Sequence, residues 1–163
     1  MGVEVLMRRI LVCGAVALVP MVGAAAAQQA AAPAHTLVTA GELKWGEPPP
    51  VFERGASFTV VSGDPGRTGN FVVRLRMPAG YRIAPHWHPT DERVTVLSGT
   101  LALGMGGTFD KATMKDLEAG GYALLPADMR HFAMAKTETT IQVEGPGPFA
   151  LTYVNPADDP SKR

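Results

Sequence analysis

Cysteine is all but missing from this sequence. The single one, Cys13, lies in the N-terminal stretch, so the rest of the chain has no disulfide and no thiolate ligand. Any metal held there must use nitrogen and oxygen donors. Charge is also scarce, at 18% of residues, and 15 basic side chains balance 15 acidic ones. No basic run or aromatic–basic stripe occurs, which argues against nucleic acid as a partner. Aromatic residues make up only 7%, and there are four histidines. What is plentiful is punctuation: 18 glycines and 14 prolines suit a turn-rich β protein better than a helical bundle. At 163 residues the chain is long enough for one domain with its own core.

The first 27 residues have a different character. Arg8 and Arg9 precede the apolar stretch ILVCGAVALVPMVGAAAA, which runs into Gln28 and Gln29. A basic start, an apolar middle and an Ala-x-Ala exit at Ala25 and Ala27 form the pattern of a secretory signal peptide, with cleavage expected after Ala27. The run is long enough to span a bilayer, but Pro20, two glycines and the weakly apolar alanines favour a cleaved signal over an anchor. The expected location is periplasmic or secreted, with no stable membrane association after cleavage. Cys13 precedes most of the apolar run, so it does not read as a lipid attachment site.

Residues 28–50 are Ala- and Pro-rich and read as a leader, with an edge strand expected in HTLVTAGEL and His35 as a solvated side chain. Residues 51–156 carry short β-like runs at regular spacing: SFTVVSG, FVVRLRM, YRIAPHW, RVTVLSG, TLALGMG, YALLPA, HFAMA, TTIQVEG and FALTYVNP. Runs of this length, separated by signals such as DPGRTGN, predict an all-β fold, an antiparallel sandwich or barrel. GMGG at Gly104–Gly107 reads as a hairpin turn rather than a phosphate loop. Asp110 is placed to cap a single helical turn before Gly120. Residues 157–163 form a short tail.

The chemistry concentrates in GYRIAPHWHPTDERVTVLSG, Gly80–Gly99. On an extended strand His86 and His88 point to one face and Trp87 to the other. Glu92 follows a short turn that can bring its carboxylate to the same centre, and His131 begins another strand in PADMRHF. Three imidazoles and a carboxylate suit one divalent transition metal: Mn, Fe, Co, Ni, Cu or Zn. Asp91 competes with Glu92 for the carboxylate role, but a strand turns its side chain the opposite way.

The arrangement G(x)5HxH(x)3E(x)6G resembles the first motif of the cupin superfamily at every defining position. GGYALLPADMRHFAMA is similar to the second motif, G(x)5PxG(x)2H(x)3N, at Gly120, Pro126 and His131. It departs at Asp128 in place of glycine and at Ala135 in place of asparagine. The resemblance covers about residues 71–153. It implies a cupin-type double-stranded β-helix (a small antiparallel β-barrel or jelly roll), a metal near one mouth, and frequently a homodimer. It also implies that His86, His88, Glu92 and His131 are the metal ligands. ERVTVLSGT further resembles the cupin half of bacterial anti-sigma regulators, although the export signal and the lack of a separate sigma-binding domain stand against that kinship.

Cupins with this ligand set include dioxygenases, decarboxylases, isomerases and lyases, besides sensors and storage proteins. Two functions are therefore expected. One is a metal-dependent enzyme that oxygenates, decarboxylates or eliminates on a small oxygen-rich molecule. The other is a sensor or carrier that binds a metal or small ligand without turnover. Gln142 and Glu144 share one face of TTIQVEG; if that face is the barrel interior, they form the catalytic pair, with Glu144 as proton shuttle. If it is the outer face, Ile141 and Val143 pack instead. Arg74 and Arg76 pose the same alternative: they either hold an anionic substrate or face solvent.

Overall fold

The structure, a computed structural model, describes residues 35–163. The signal-peptide reading of residues 1–27, Cys13 included, lies outside the described residues. Among those described, no helix is long and apolar enough to cross a membrane.

Ten strands follow in order: β1 (Ser57–Ser62), β2 (Gly69–Met77), β3 (Arg82–Trp87), β4 (Glu92–Ser98), β5 (Thr100–Met105), β6 (Lys115–Glu118), β7 (Tyr122–Leu125), β8 (His131–Ala135), β9 (Thr139–Gly147) and β10 (Thr152–Tyr153). They make two five-stranded antiparallel sheets, β1-β2-β9-β4-β7 and β10-β3-β8-β5-β6. The all-β expectation is met. Period-two alternation does the sorting: in β2, Phe71, Val73, Leu75 and Met77 are buried while Arg74 and Arg76 are not. Val94 and Val96 of β4 and Ile141 and Val143 of β9 complete that inner face, and the core lies between the sheets.

In β3 the alternation breaks, and the site depends on the break. Ile83 pairs with Ala133, but the next pairing is His86 with His131, so β3 carries an irregularity between Ile83 and His86. Pro85 sits inside it. Proline has no N–H to give to a ladder and is tolerated where a bulge has already opened one. The bulge shifts parity, so His86 and His88 face inward with Ile83, and Trp87 remains half-buried on the other side.

Turn chemistry closes the strands. Gly99, between β4 and β5, has φ +77°, and a Cβ there would collide with the Glu138 carbonyl oxygen, so only glycine fits. Asp128, at the glycine position of the second motif, takes φ 63°, which Asp tolerates better than most residues. Ala135, at the asparagine position, is fully buried and serves the fold through backbone hydrogen bonds with Gly80 and Tyr81.

Three local expectations are corrected. HTLVTAGEL forms no strand: residues 35–39 have no regular structure and are exposed, Ala40–Glu42 make one 3-10 turn, and the first pairing is a lone bridge from Gly46 to Phe58. Thr39 and Glu42 satisfy their polar groups locally in a capping box, which leaves little reason to join a sheet edge. GMGG is not a tight hairpin, because β5 pairs with β6 across a longer loop running from Gly106 to Met114. Inside that loop Asp110 caps a single 3-10 turn, Lys111–Thr113, by accepting from the Ala112 N–H. The packed body also starts before Val51, since Trp45 lies under the Arg76 guanidinium at 4.3 Å.

Candidate metal centre

The three histidines arrive from two neighbouring strands. His86 and His131 are direct cross-strand partners on β3 and β8, with ring centroids 4.1 Å apart. His88 follows β3, and its ring is 5.0 Å from that of His86 and 5.3 Å from that of His131. One ring nitrogen from each lies within 4.8 Å of the other two. Glu92, at the start of β4, reaches across from the other sheet: its Oε2 lies 3.2 Å from His131 Nε2 and 3.5 Å from His88 Nε2. All four side chains are buried.

Each ring is oriented from behind by a backbone carbonyl. Nδ1 of His86 meets the Ala84 oxygen at 2.8 Å, that of His88 the Ala150 oxygen at 2.8 Å, and that of His131 the Met129 oxygen at 2.9 Å. A carbonyl can only accept, so each Nδ1 carries the hydrogen, which leaves Nε2 as the atom that can offer a lone pair to a metal. Among the described residues, His88 Nε2 and Glu92 Oε2 are buried with no hydrogen-bond partner. Lone pairs and a carboxylate converging in a buried site repel one another unless a cation lies between them. The donors therefore fit a divalent metal ion, bound through the three imidazoles with Glu92 beside them on the His88–His131 side.

Protonation states agree with this reading. Burial pushes the His86 pKa down to about 3, with His131 and His88 adding to the effect, so the ring is neutral near pH 7. Burial opposes ionisation of Glu92, and N–H donation and positive charge from the His131 and His88 side hold the carboxyl below its usual range, a part that a metal cation takes over where those rings present bare lone pairs. A consequence follows for the metal-free protein. The unfolded chain takes up a proton on His86 below its ordinary value of 6.5, whereas the folded chain resists until about 3. Stability should therefore fall as pH drops from 6.5 toward 3. Urea midpoints of chelator-treated protein across this range will check it, and His86→Gln should flatten the dependence.

Asp91 is occupied elsewhere: its Oδ1 accepts from the Ala127 N–H at 3.0 Å, tying the Pro126–Asp128 turn to the head of β4. The expected catalytic pair requires correction. On β9 it is Ile141 and Val143 that line the barrel interior, so Gln142 and Glu144 occupy the outer face. There they continue a polar ladder in which Arg74 Nε donates to Gln142 Oε1 at 2.9 Å and Gln142 Nε2 donates to Glu144 Oε1 at 2.6 Å. Arg74 and Arg76 share that face, so neither can hold a substrate inside the barrel. Glu144→Gln is expected to leave metal content and any turnover unchanged, as measured by elemental analysis and steady-state assay.

The interior next to the histidines is a cavity of about 150 Å³. Phe149 stacks on His88, with centroids 4.2 Å apart and planes 16° from parallel, and it packs against Phe71 at 4.9 Å. Neither Phe149 nor the three carbonyls were identified from the sequence. A carbonyl acceptor has no side-chain signature, and a lone phenylalanine after Gly-Pro looks like any loop residue.

The model of the ChrR cupin-like domain matches residues 33–150, most of the chain. The chain belongs to the ChrR cupin-like family. No curated protein matches the sequence. Solved cupins are similar in fold. A protein of Methylibium petroleiphilum provisionally named an acetylacetone dioxygenase is 22% identical, with TM-score 0.61, covering 79% of this chain and 87% of its own. The polyketide cyclase RemF of Streptomyces resistomycificus is 16% identical, with TM-score 0.64, covering 79% and 92%. Salicylate 1,2-dioxygenase of Pseudoaminobacter salicylatoxidans, solved with gentisate, is 16% identical, with TM-score 0.52, covering 64% of this chain and 30% of its own. At these identities the likeness is one of fold. This family member carries the three-histidine group that a divalent metal site of cupin type requires.

Proposed function

We propose that this cupin is a metal-dependent enzyme that oxygenates a small organic molecule, acting outside the cytoplasm after loss of residues 1–27. The observation that carries the reaction class is the cavity wall. Among the described residues, His86, His88 and Glu92 are the only titratable ones lining it, and the rest are apolar. Elimination and isomerisation need a side chain that moves protons between substrate atoms, and with Glu144 outside the barrel the described residues offer none on this wall beyond those assigned to the metal. Dioxygenation needs less from the protein: both oxygen atoms enter the product, the substrate supplies all four electrons, and no separate reductant is required.

A redox-active divalent ion held by His86, His88, His131 and Glu92 would polarise a substrate oxygen and supply the electron route that dioxygen chemistry needs. The chain's own residues do the remainder. Carbonyls of Ala84, Met129 and Ala150 fix the imidazoles, Phe149 holds the His88 ring by stacking, and the apolar wall keeps bulk water from the reacting atoms. Two of the similar folds carry dioxygenase names, which supports the choice.

The lack of a proton-moving side chain would equally suit a binder without turnover. Oxygen uptake separates the two. Iron-loaded protein offered enolisable ketones and phenols should consume one dioxygen per product formed, with label from isotopic dioxygen entering that product. Full metal occupancy and tight ligand binding without oxygen uptake would establish the non-catalytic alternative.

A further inference from the structure

One wall of the cavity comes from neither sheet. Pro49, Val51 and Phe52 line it, in a segment that crosses the barrel mouth before β1 begins. The run Pro48-Pro49-Pro50 stiffens its entry by fixing φ, and the Phe52 N–H returns to the Pro49 carbonyl at 2.9 Å. Two buried tyrosines pin the far end. Tyr153 donates its hydroxyl to the Val51 carbonyl at 2.7 Å, and Tyr81 donates to the Glu53 carbonyl at 2.6 Å. Burial pushes the Tyr153 hydroxyl up to about 12, so it remains a donor across the ordinary pH range. Arg163 pairs with Glu53 from outside.

Beneath this strap the chemistry is one-sided. Among the described residues, the polar side chains on the wall belong to His86, His88 and Glu92. No lysine or arginine and no side-chain hydroxyl or amide lines the remainder, which is built from residues such as Phe58, Phe71, Leu75, Ile83 and Leu151. Apolar cavities of about 150 Å³ stay dry and take ligands of roughly benzene's size.

We infer that the cavity takes a small, uncharged molecule with a single polar end: an oxygen donor that meets the histidines, followed by a hydrocarbon body that fits under Val51 and Phe52. This deepens the proposed function and rests on it for the identity of the polar end. A substrate with a charge or sugar-like hydroxyls at its far end would bury them against hydrocarbon without a partner, and such burial is strongly unfavourable. The strap sets the length that fits, because its backbone is held at both Val51 and Glu53.

Methyl isoamyl ketone and levulinate test this directly. They share a ketone end and have nearly the same shape, but the branched hydrocarbon tail of the first is replaced by a carboxylate in the second. Binding is read by ligand-observed NMR on the protein as isolated, with metal content measured on the same sample. The ketone should bind at least about a hundredfold more tightly than levulinate. Val51→Phe, a half-buried strap position that supplies no metal donor, should abolish ketone binding while metal content and unfolding midpoint stay unchanged. Val51→Ala should admit a ketone longer by two carbons. Levulinate binding within threefold of the ketone, or a ketone affinity indifferent to Val51→Phe, overturns the inference. A protein that binds the ketone but holds no metal would refute the metal-dependent reading and leave the inference standing. Metal-loaded protein that prefers levulinate would do the reverse.

Discussion

Replacing His131 or His88 by alanine is expected to lower metal affinity by at least two orders of magnitude, with the fold retained. Each is one of three imidazoles converging on a single position, and their geometry leaves little slack. Deleting a carbonyl that orients a metal-bound imidazole typically costs about 10- to 100-fold in affinity, so deleting the imidazole itself should cost more. His131 has the stronger case. It stands opposite His86 across the strand pair and lies nearer the Glu92 carboxylate than His88 does. Its loss removes a donor and leaves Glu92 buried with one less partner. Competition with a chelator of known affinity gives the measurement, and circular dichroism verifies the fold. Asp91→Ala is the control, because that carboxylate serves the Ala127 N–H. Its substitution should cost about 1 kcal/mol of stability and leave the metal in place. If Asp91→Ala empties the site while Glu92→Ala does not, the carboxylate assignment is wrong.

Phe132→Ala is expected to destabilise the fold by about 3–5 kcal/mol, as read from urea unfolding with an unchanged slope. Phe132 is fully buried beside the metal-facing His131, but its ring turns away from the site. It lies over Gly104 of β5, with Phe109 tilted against it at 5.1 Å. The loss is a large part of the 5–15 kcal/mol that a domain usually has. Gly104→Ala tests the same contact from below. A Cβ there would run into the Phe132 ring, so about 1–3 kcal/mol should be lost through overpacking rather than a void. The glycine once considered for a phosphate loop is thus a packing position.

Part of the candidate donor set was legible because it is local. His86, His88 and Glu92 fall within seven residues, bounded by turn glycines, and their residue types restrict the chemistry before any fold is known, whereas His131 was joined to them by the resemblance of its own motif. The all-β architecture was legible for a similar reason, since period-two runs and turn residues are short-range signals. Gln142 and Glu144 were not. Alternation shows that they oppose Ile141 and Val143, but not which face the barrel encloses. That depends on β9 lying between β2 and β4, pairings 60 to 70 residues away in places, such as Arg74 with Gln142.

The sequence by itself determined which residue types could bind a metal and that the fold is an all-β sandwich or barrel, and its motif resemblance pointed to the cupin type. The first two follow from residue chemistry and from backbone preferences over a few residues. Tertiary structure alone decided where those atoms point and what surrounds them. The irregularity at Pro85 that turns His86 and His88 inward appears only against β8, and Ala150 reaches His88 only once the chain returns 62 residues later. The strap over the cavity depends on Tyr153 finding Val51 across 102 residues. Burial and hydrogen-bond partnership are properties of the closed barrel, so no local pattern carries them.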